Sequence, residues 1–252
     1  MAHIHRRMLD EPYARSAVWS KRLGLFAVPV AVIAIFAQRS GRLDYLPAMA
    51  ALGSSAVLAV VAILLGVVAL AVIWVRGNRG AGAAASGILA GLLVLAPPVY
   101  FLAPGWDLPP LTDIATDPAD PPDFVFAAAE RSANDNPADY PAETALDQMS
   151  AYSEIEPLRV NQPPEETFAL AQQLVEQRGW RVLQTDAEAR RIEASETSLV
   201  LNLVSDIVIT VTPEGAGSRV DMRSASRSGW RDFGSNAARI RTFLAELQTQ
   251  AR

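Results

Sequence analysis

Three apolar runs dominate the first part of the chain: Leu23 to Ala37, Met49 to Val75 and Ala81 to Ala103. The second carries no charge over 27 residues and the third none over 23. Each is enough for a helix that crosses a bilayer, which takes roughly 20 apolar residues. The first has only 15, but Trp19, Lys21 and Arg22 extend it, the basic side chains reaching to the interface. The pattern predicts three transmembrane helices at about residues 18–37, 49–75 and 81–103. Pro97 and Pro98 interrupt the third near its end, and Tyr100 and Trp106 suit the far interface. The first run also has the shape of a signal peptide. Ile35 stands where cleavage after Ala37 would need a small residue, which favours a retained helix.

Beyond residue 103 the pattern breaks. Pro104 to Pro141 holds eight of the 17 prolines, and residues 103–153 carry ten acids against Arg131 alone. Such a stretch predicts an extended, partly ordered acidic linker over residues 104–153. Only Phe124 to Ala129 has the makings of a helical turn or of a contact with the polar domain beyond the linker. The acids of Asp117 to Pro122 hint at calcium, but the prolines between them keep the carboxylates apart, and a solvated linker is expected.

Periodicity returns near Ile155. Leu158 and Val160 alternate as a short strand, and Pro163-Pro164 opens a helix whose stripe is Phe168, Ala171, Leu174 and Val175, stopped at Gly179. Strands follow at Trp180–Leu183, around Arg191–Ala194, at Asp206–Thr212 and at Arg219–Ser226, the last two joined by a hairpin turn through Gly215 and Gly217. A final helix from Ser235 to Gln248 aligns Ala237, Ile240, Phe243, Leu244 and Leu247. The order β-α-β-β-β-β-α predicts a two-layer α+β domain over residues 154–252, an antiparallel sheet with two helices, behind a three-helix membrane region.

Charge orients this arrangement. Up to residue 102 nine basic residues face three acids; from 103 onward 13 arginines face 24 acids. The segment 1–17, with Lys21 and Arg22 just beyond it, and the loop Arg76–Arg79 hold seven basic residues, which belong in the cytoplasm. The acidic domain is then expected in the periplasm of a bacterial inner-membrane protein, and the single lysine against 21 arginines fits a GC-rich bacterium. The chain has no cysteine, and its two histidines are His3 and His5, so thiol and imidazole chemistry are excluded from the polar half. Mean hydropathy is +0.17. No charge lies inside any of the three apolar runs, which argues against an ion pathway or transporter core.

Several motifs carry candidate chemistry. Gly80 to Ala85 spells a dinucleotide fingerprint, but no strand precedes it, so the match has no meaning. Gly87 and Gly91, extended by Gly82, Ser86 and Ala90, form a small-residue stripe suited to packing among the chain's own helices or to a dimer seam. On the return strand Val220, Met222, Ser224 and Ser226 share one face, and Arg219, Asp221, Arg223 and Arg227 the other. Gly229 and Gly234 permit a tight excursion, Asp232 or Ser235 can cap the last helix, and Asn236 and Arg239 share its first turns. One reading is an anion site in which free N–H groups at the helix start face Arg223, Arg227 and Arg239. The other is architecture, with Asp206 and Asp232 neutralising these arginines.

The string from Arg223 through Gly229, Asp232, Gly234 and Asn236 to Ile240 resembles the closing motif of the bacterial domain of unknown function 1499. Glu156-Pro157-Leu158 and Ser205-Asp206-Ile207-Val208 fit the same family, and Thr116 to Pro122 is similar to the version in membrane-anchored members. The resemblance covers about residues 154–248; the cysteine pair that many members carry ahead of the domain is missing. It implies a fold and no activity.

The expected function is a membrane-tethered periplasmic binding or interaction module for an envelope component or an anionic lipid or metabolite, using this site or the sheet's open face. A structural subunit of a membrane complex is the alternative. A hydrolase using Asp206, Asp221 or Asp232 with Ser224 or Ser226 is the remote third, since no histidine, cysteine or lysine is at hand to serve it. No cofactor is expected, and no nucleic acid, because residues 154–252 hold 12 arginines against 14 acids. The bilayer itself is the one partner the pattern requires.

Overall fold

The structure is a computed structural model and describes residues 12–251. His3, His5, Arg6 and Arg7, and with them most of the expected cytoplasmic segment, lie outside the described residues. The chain divides into two compact units between Ala103 and Pro104.

The first unit is three helices, α1 (Arg15–Arg39), α2 (Tyr45–Arg76) and α3 (Ala81–Leu102), each long and apolar enough to cross a membrane. Each contains its expected run and extends it or matches it within a residue. Pro97 and Pro98 do not interrupt α3, which continues through both to Leu102. Their missing N–H groups fall within one turn, so the carbonyls of Leu93 and Val94 lose partners and the rest of the helix keeps its ladder. Every buried residue of the three helices is Ala, Gly or Ser, while many of the Leu, Val and Phe side chains are exposed and Ile63 and Ile88 lie against glycines of the neighbouring helices. Lipid is as apolar as leucine, so close backbone approach holds such helices together. A Cβ on Gly87 would strike the Ser20 backbone, one on Gly91 the Ala59 carbonyl, and one on Gly24 the Gly87 carbonyl. Ser20 Oγ donates to the Ala62 carbonyl at 2.7 Å. Gly87, Ala90 and Gly91 thus pack inside the chain's own bundle. Ser86 is half-buried and hydrogen-bonds its own helix at Ala83, and Gly82 meets nothing.

The second unit is an α+β domain. Its antiparallel sheet runs β1 (Asp113–Ala115), β6 (Gly217–Ser226), β5 (Val204–Glu214), β4 (Arg191–Thr197), β3 (Arg181–Asp186), and β2 (Leu158–Val160) shares the β6 edge with β1. Helices α6 (Pro164–Gln177) and α7 (Ser235–Gln250) pack on one face. Their stripes, as the sequence predicts, meet Ile192, Ile207, Ile209, Val220 and Met222, and Trp180 stacks on Phe243 at 5.4 Å.

Residues 104–153 correct the expectation of a tether. Asp113–Ala115 pairs with Arg223–Ala225 of β6 as a full edge strand. Phe124 and Ala127, the latter in the short helix α4 (Phe126–Glu130), pack on Val208 and Ala225 across the face that the helices leave free. In α5 (Ala145–Ala151) the Gln148 amide donates to the Ala115 carbonyl at 2.7 Å and accepts from the Ala115 N–H at 3.1 Å. It stands in for the next strand, satisfying an edge that would otherwise be unpaired. The domain therefore begins near Pro104, and both faces of the sheet are covered rather than one left open. Composition misleads here because three of the acids, Asp113, Asp117 and Glu130, are paired with arginines of the sheet, although most of the others face solvent.

Candidate functional site

Strand alternation puts Arg219, Asp221 and Arg223 on the face under the 113–140 strap, and Val220, Met222 and Ser224 on the helix face. Arg223 is completely buried. Its Nε and Nη2 bond both oxygens of Asp113 at 3.0 and 2.7 Å, and Nη1 and Nη2 reach the carbonyls of Pro122 and Ala138. The Phe124 ring lies 4.4 Å from the guanidinium carbon. Burial pushes the Asp113 carboxyl upward, and the Arg223 bonds counter that without cancelling it. The adjoining Tyr140 hydroxyl is pushed up to about 12, first by burial and then by the Asp113 charge.

Arg227 lies on the same side. Its Nε and Nη2 bond Asp206 at 2.9 and 2.7 Å, and Nη2 also reaches Glu130 at 3.0 Å. Asp206, itself fully buried, takes a further bond from Arg131 Nε at 2.8 Å. Beside this cluster the buried Glu193 accepts the N–H groups of Val125, Phe126 and Ala127 at 3.0, 2.9 and 2.9 Å, fastening α4 to the sheet. Asp117 binds Arg219 at 2.7 Å, which holds its carboxyl below the usual range, as Arg181 does for Glu130.

Arg239 is elsewhere. Because α7 packs on the opposite face of the sheet, Arg239 meets Glu196, Ser224 Oγ at 2.9 Å and Asn236 Oδ1 at 2.5 Å. The three arginines expected to frame an anion are thus divided between two faces. The helix N–H groups are not free either. Asp232 accepts from Gly234 N at 2.8 Å and Asn236 N at 2.9 Å, and burial pushes its carboxyl upward against those bonds. Gly234 holds the N-cap position and Asp232 rather than Ser235 supplies the side-chain bond to the first turn, while Gly229 and Gly234 adopt φ of +92° and +82° as the turn requires.

Asn236 is buried with all its capacity used, donating to Thr112 O and Ser226 Oγ at 3.0 Å and accepting from Ser224 Oγ at 2.9 Å. Neither Ser224 nor Ser226 is hydrogen-bonded to a carboxylate, so neither has a base to activate it. Asp221 is engaged by Arg219 and Thr116. Among the described residues no group of three His, Asp or Glu side chains could hold a metal ion.

A cleft of about 320 Å³ opens between the segment Glu154–Arg159 and α7. Ile155, Leu158, Ile240 and Leu244 line its apolar part. At its rim stand two ion pairs, Arg241–Glu154 and Arg159–Glu214, all four side chains at least 41% exposed. Sequence reasoning missed this cleft, and also Asp113, Arg131, Gln148 and Glu193. Leu111-Thr-Asp-Ile114 does not alternate, so the β-branched Thr112 and Ile114 are the only local hint of the first strand.

A family model described as a protein of unknown function, DUF1499, matches residues 113–247, from the first residue of β1 into the last turns of α7. The match starts about forty residues earlier than the resemblance in the closing motifs does, at the strand that the strap supplies. No curated protein matches the chain.

Proposed function

The chain belongs to the DUF1499 family, and we propose that it is a membrane-anchored binding module, held at the bacterial inner membrane with its α+β domain in the periplasm. The observation that carries this reading is the contrast between the domain's closed interior and its open cleft. Arg223, Arg227, Arg239, Ser224 and Ser226 all have partners within the chain, and no activated nucleophile stands among them. Opening the buried pairs would cost several kcal/mol. The exposed pairs at the cleft rim are worth only about 0–1 kcal/mol each. An anionic envelope component with an apolar portion can take Arg241 or Arg159 from its glutamate and lay that portion over Ile155 and Leu244.

Native mass spectrometry of the detergent-extracted full chain tests this. Wild type should carry a bound species of discrete mass that Ala245→Trp, which fills the cleft from an exposed position, displaces. Bare protein in both spectra would contradict it.

A further inference from the structure

One end of the α+β domain carries four exposed large apolar side chains on three of its loops. Leu199 and Val200, in the loop between β4 and β5, are 89% and 47% exposed, and Trp230, in the loop after β6, is 71% exposed. Trp106, on the segment by which the chain enters the domain, is 66% exposed. The other tryptophan of this domain, Trp180, is buried in the core. These segments are fastened to one another. Arg227 N donates to Val204 O at 2.9 Å, Ser226 N to Thr112 O at 2.8 Å and Asp232 N to Leu111 O at 2.9 Å. Arg231 Nη2 bonds the carbonyls of Trp106 and Leu108, and its guanidinium lies 5.2 Å from the Phe233 ring. Gly105 packs against the Phe233 backbone where no Cβ would fit.

Covalent reach says what this end meets. The third apolar helix ends at Leu102, and Trp106 follows four residues later. Four residues span at most roughly 14 Å, while the headgroup layer on each side of a bilayer is roughly 5–8 Å thick. An exposed tryptophan at that distance from a span, as Trp106 is, lies in the zone where the indole ring, apolar with one polar N–H, partitions best. In water, four such side chains together would be an uncovered patch.

We propose that this end is a membrane-docking surface, with Trp106, Trp230, Leu199 and Val200 seated in the headgroup region of the bilayer the chain spans. The seating is driven by aromatic and apolar burial rather than by charge, so phosphatidylcholine alone suffices. The proposal rests on the reading of α1 to α3 as membrane spans and is independent of what the cleft binds.

The chain has no cysteine, so single-cysteine spin labels report cleanly. The full chain is reconstituted in phosphatidylcholine vesicles with labels at Leu199→Cys, at Ala187→Cys in the β3–β4 turn as the water reference, and at Leu64→Cys in α2 as the lipid reference. Collision with oxygen is compared with collision with a water-soluble nickel chelate. The label at 199 should show an oxygen-to-nickel ratio several-fold above that at 187. The double change Trp106→Ser and Trp230→Ser should bring it back toward the 187 value. A 199 label as wet as 187, while 64 remains in lipid, overturns the docking surface and leaves the anchor standing; a wet label at 64 overturns both. Low collision with both reagents at 199 means that a second protein copy covers the patch, which also overturns the proposal. A ratio at 199 unmoved by the tryptophan changes does the same.

Discussion

Arg223 and Arg239 look equivalent in the sequence, two arginines in one motif, yet their surroundings give them different weights. Arg223 is fully buried on Asp113, so Arg223→Met strands a buried carboxylate, at a cost of roughly 3–5 kcal/mol. The domain's melting temperature should fall by roughly 10 °C or more. Adding Asp113→Leu should recover much of the loss, because an apolar pair of similar volume removes the stranded charge. Arg239→Gln should cost only about 1 kcal/mol, since its partner Glu196 can turn to water. Thermal unfolding of the four proteins followed by near-ultraviolet circular dichroism checks the ranking. Acid acts in two directions. Asp117 and Glu130 have lowered pKa values, so their contribution is complete above the usual carboxylate range, near about 4, and is lost as pH falls through their folded values. Asp113 and Asp232 are raised, so their charged forms weaken the fold at neutral pH and protonation relieves that as pH falls. Melting temperature should therefore hold or rise from pH 7 to about 5 and drop below about 4. A steady decline from pH 7 downward would show that the buried carboxyls do not behave this way.

At the scale of elements, periodicity was enough for the three apolar helices, the amphipathic α6 and α7, and the long hairpin β5–β6, which all stand where the pattern put them. The strap was illegible for a physical reason. Its order comes from ion pairs and backbone bonds to residues tens of positions away, and no local window contains both halves of Asp113–Arg223 or Gln148–Ala115. The candidate site was half legible for the same cause. Alternation sorted the faces of β6, but only the packing of α7 decides which face Arg239 joins. Residues 104–252 should consequently unfold cooperatively as a fragment, whereas 150–252, lacking β1 and the Phe124 contact, should show a weakened or absent transition. Equal melting curves for the two would make the strap an ornament. In the apolar unit, Gly87→Leu should disrupt the bundle while Gly82→Leu leaves it intact, because the first meets the Ser20 backbone and the second meets nothing. Resistance of the two proteins to unfolding in mixed detergent distinguishes these outcomes.

The whole molecule joins three helices, packed through small residues and long and apolar enough to cross a membrane, to a domain whose internal charges hold its own strap. Its net charge divides accordingly, basic before residue 102 and acidic after it, and the proposed topology sets seven of the nine early basic residues on one side of a membrane and the acidic domain on the other. Cysteine accessibility in intact cells tests that placement most directly, because the chain supplies no background thiol. One cysteine replaces Asn78 in the α2–α3 loop and another replaces Ala187 in the exposed β3–β4 turn. A membrane-impermeant maleimide, applied after the outer barrier is opened but with the inner membrane intact, should label 187 and spare 78 until the cells are lysed. Labelling of 78 before lysis, or protection of 187 until lysis, would contradict a domain held outside the inner membrane by three spans.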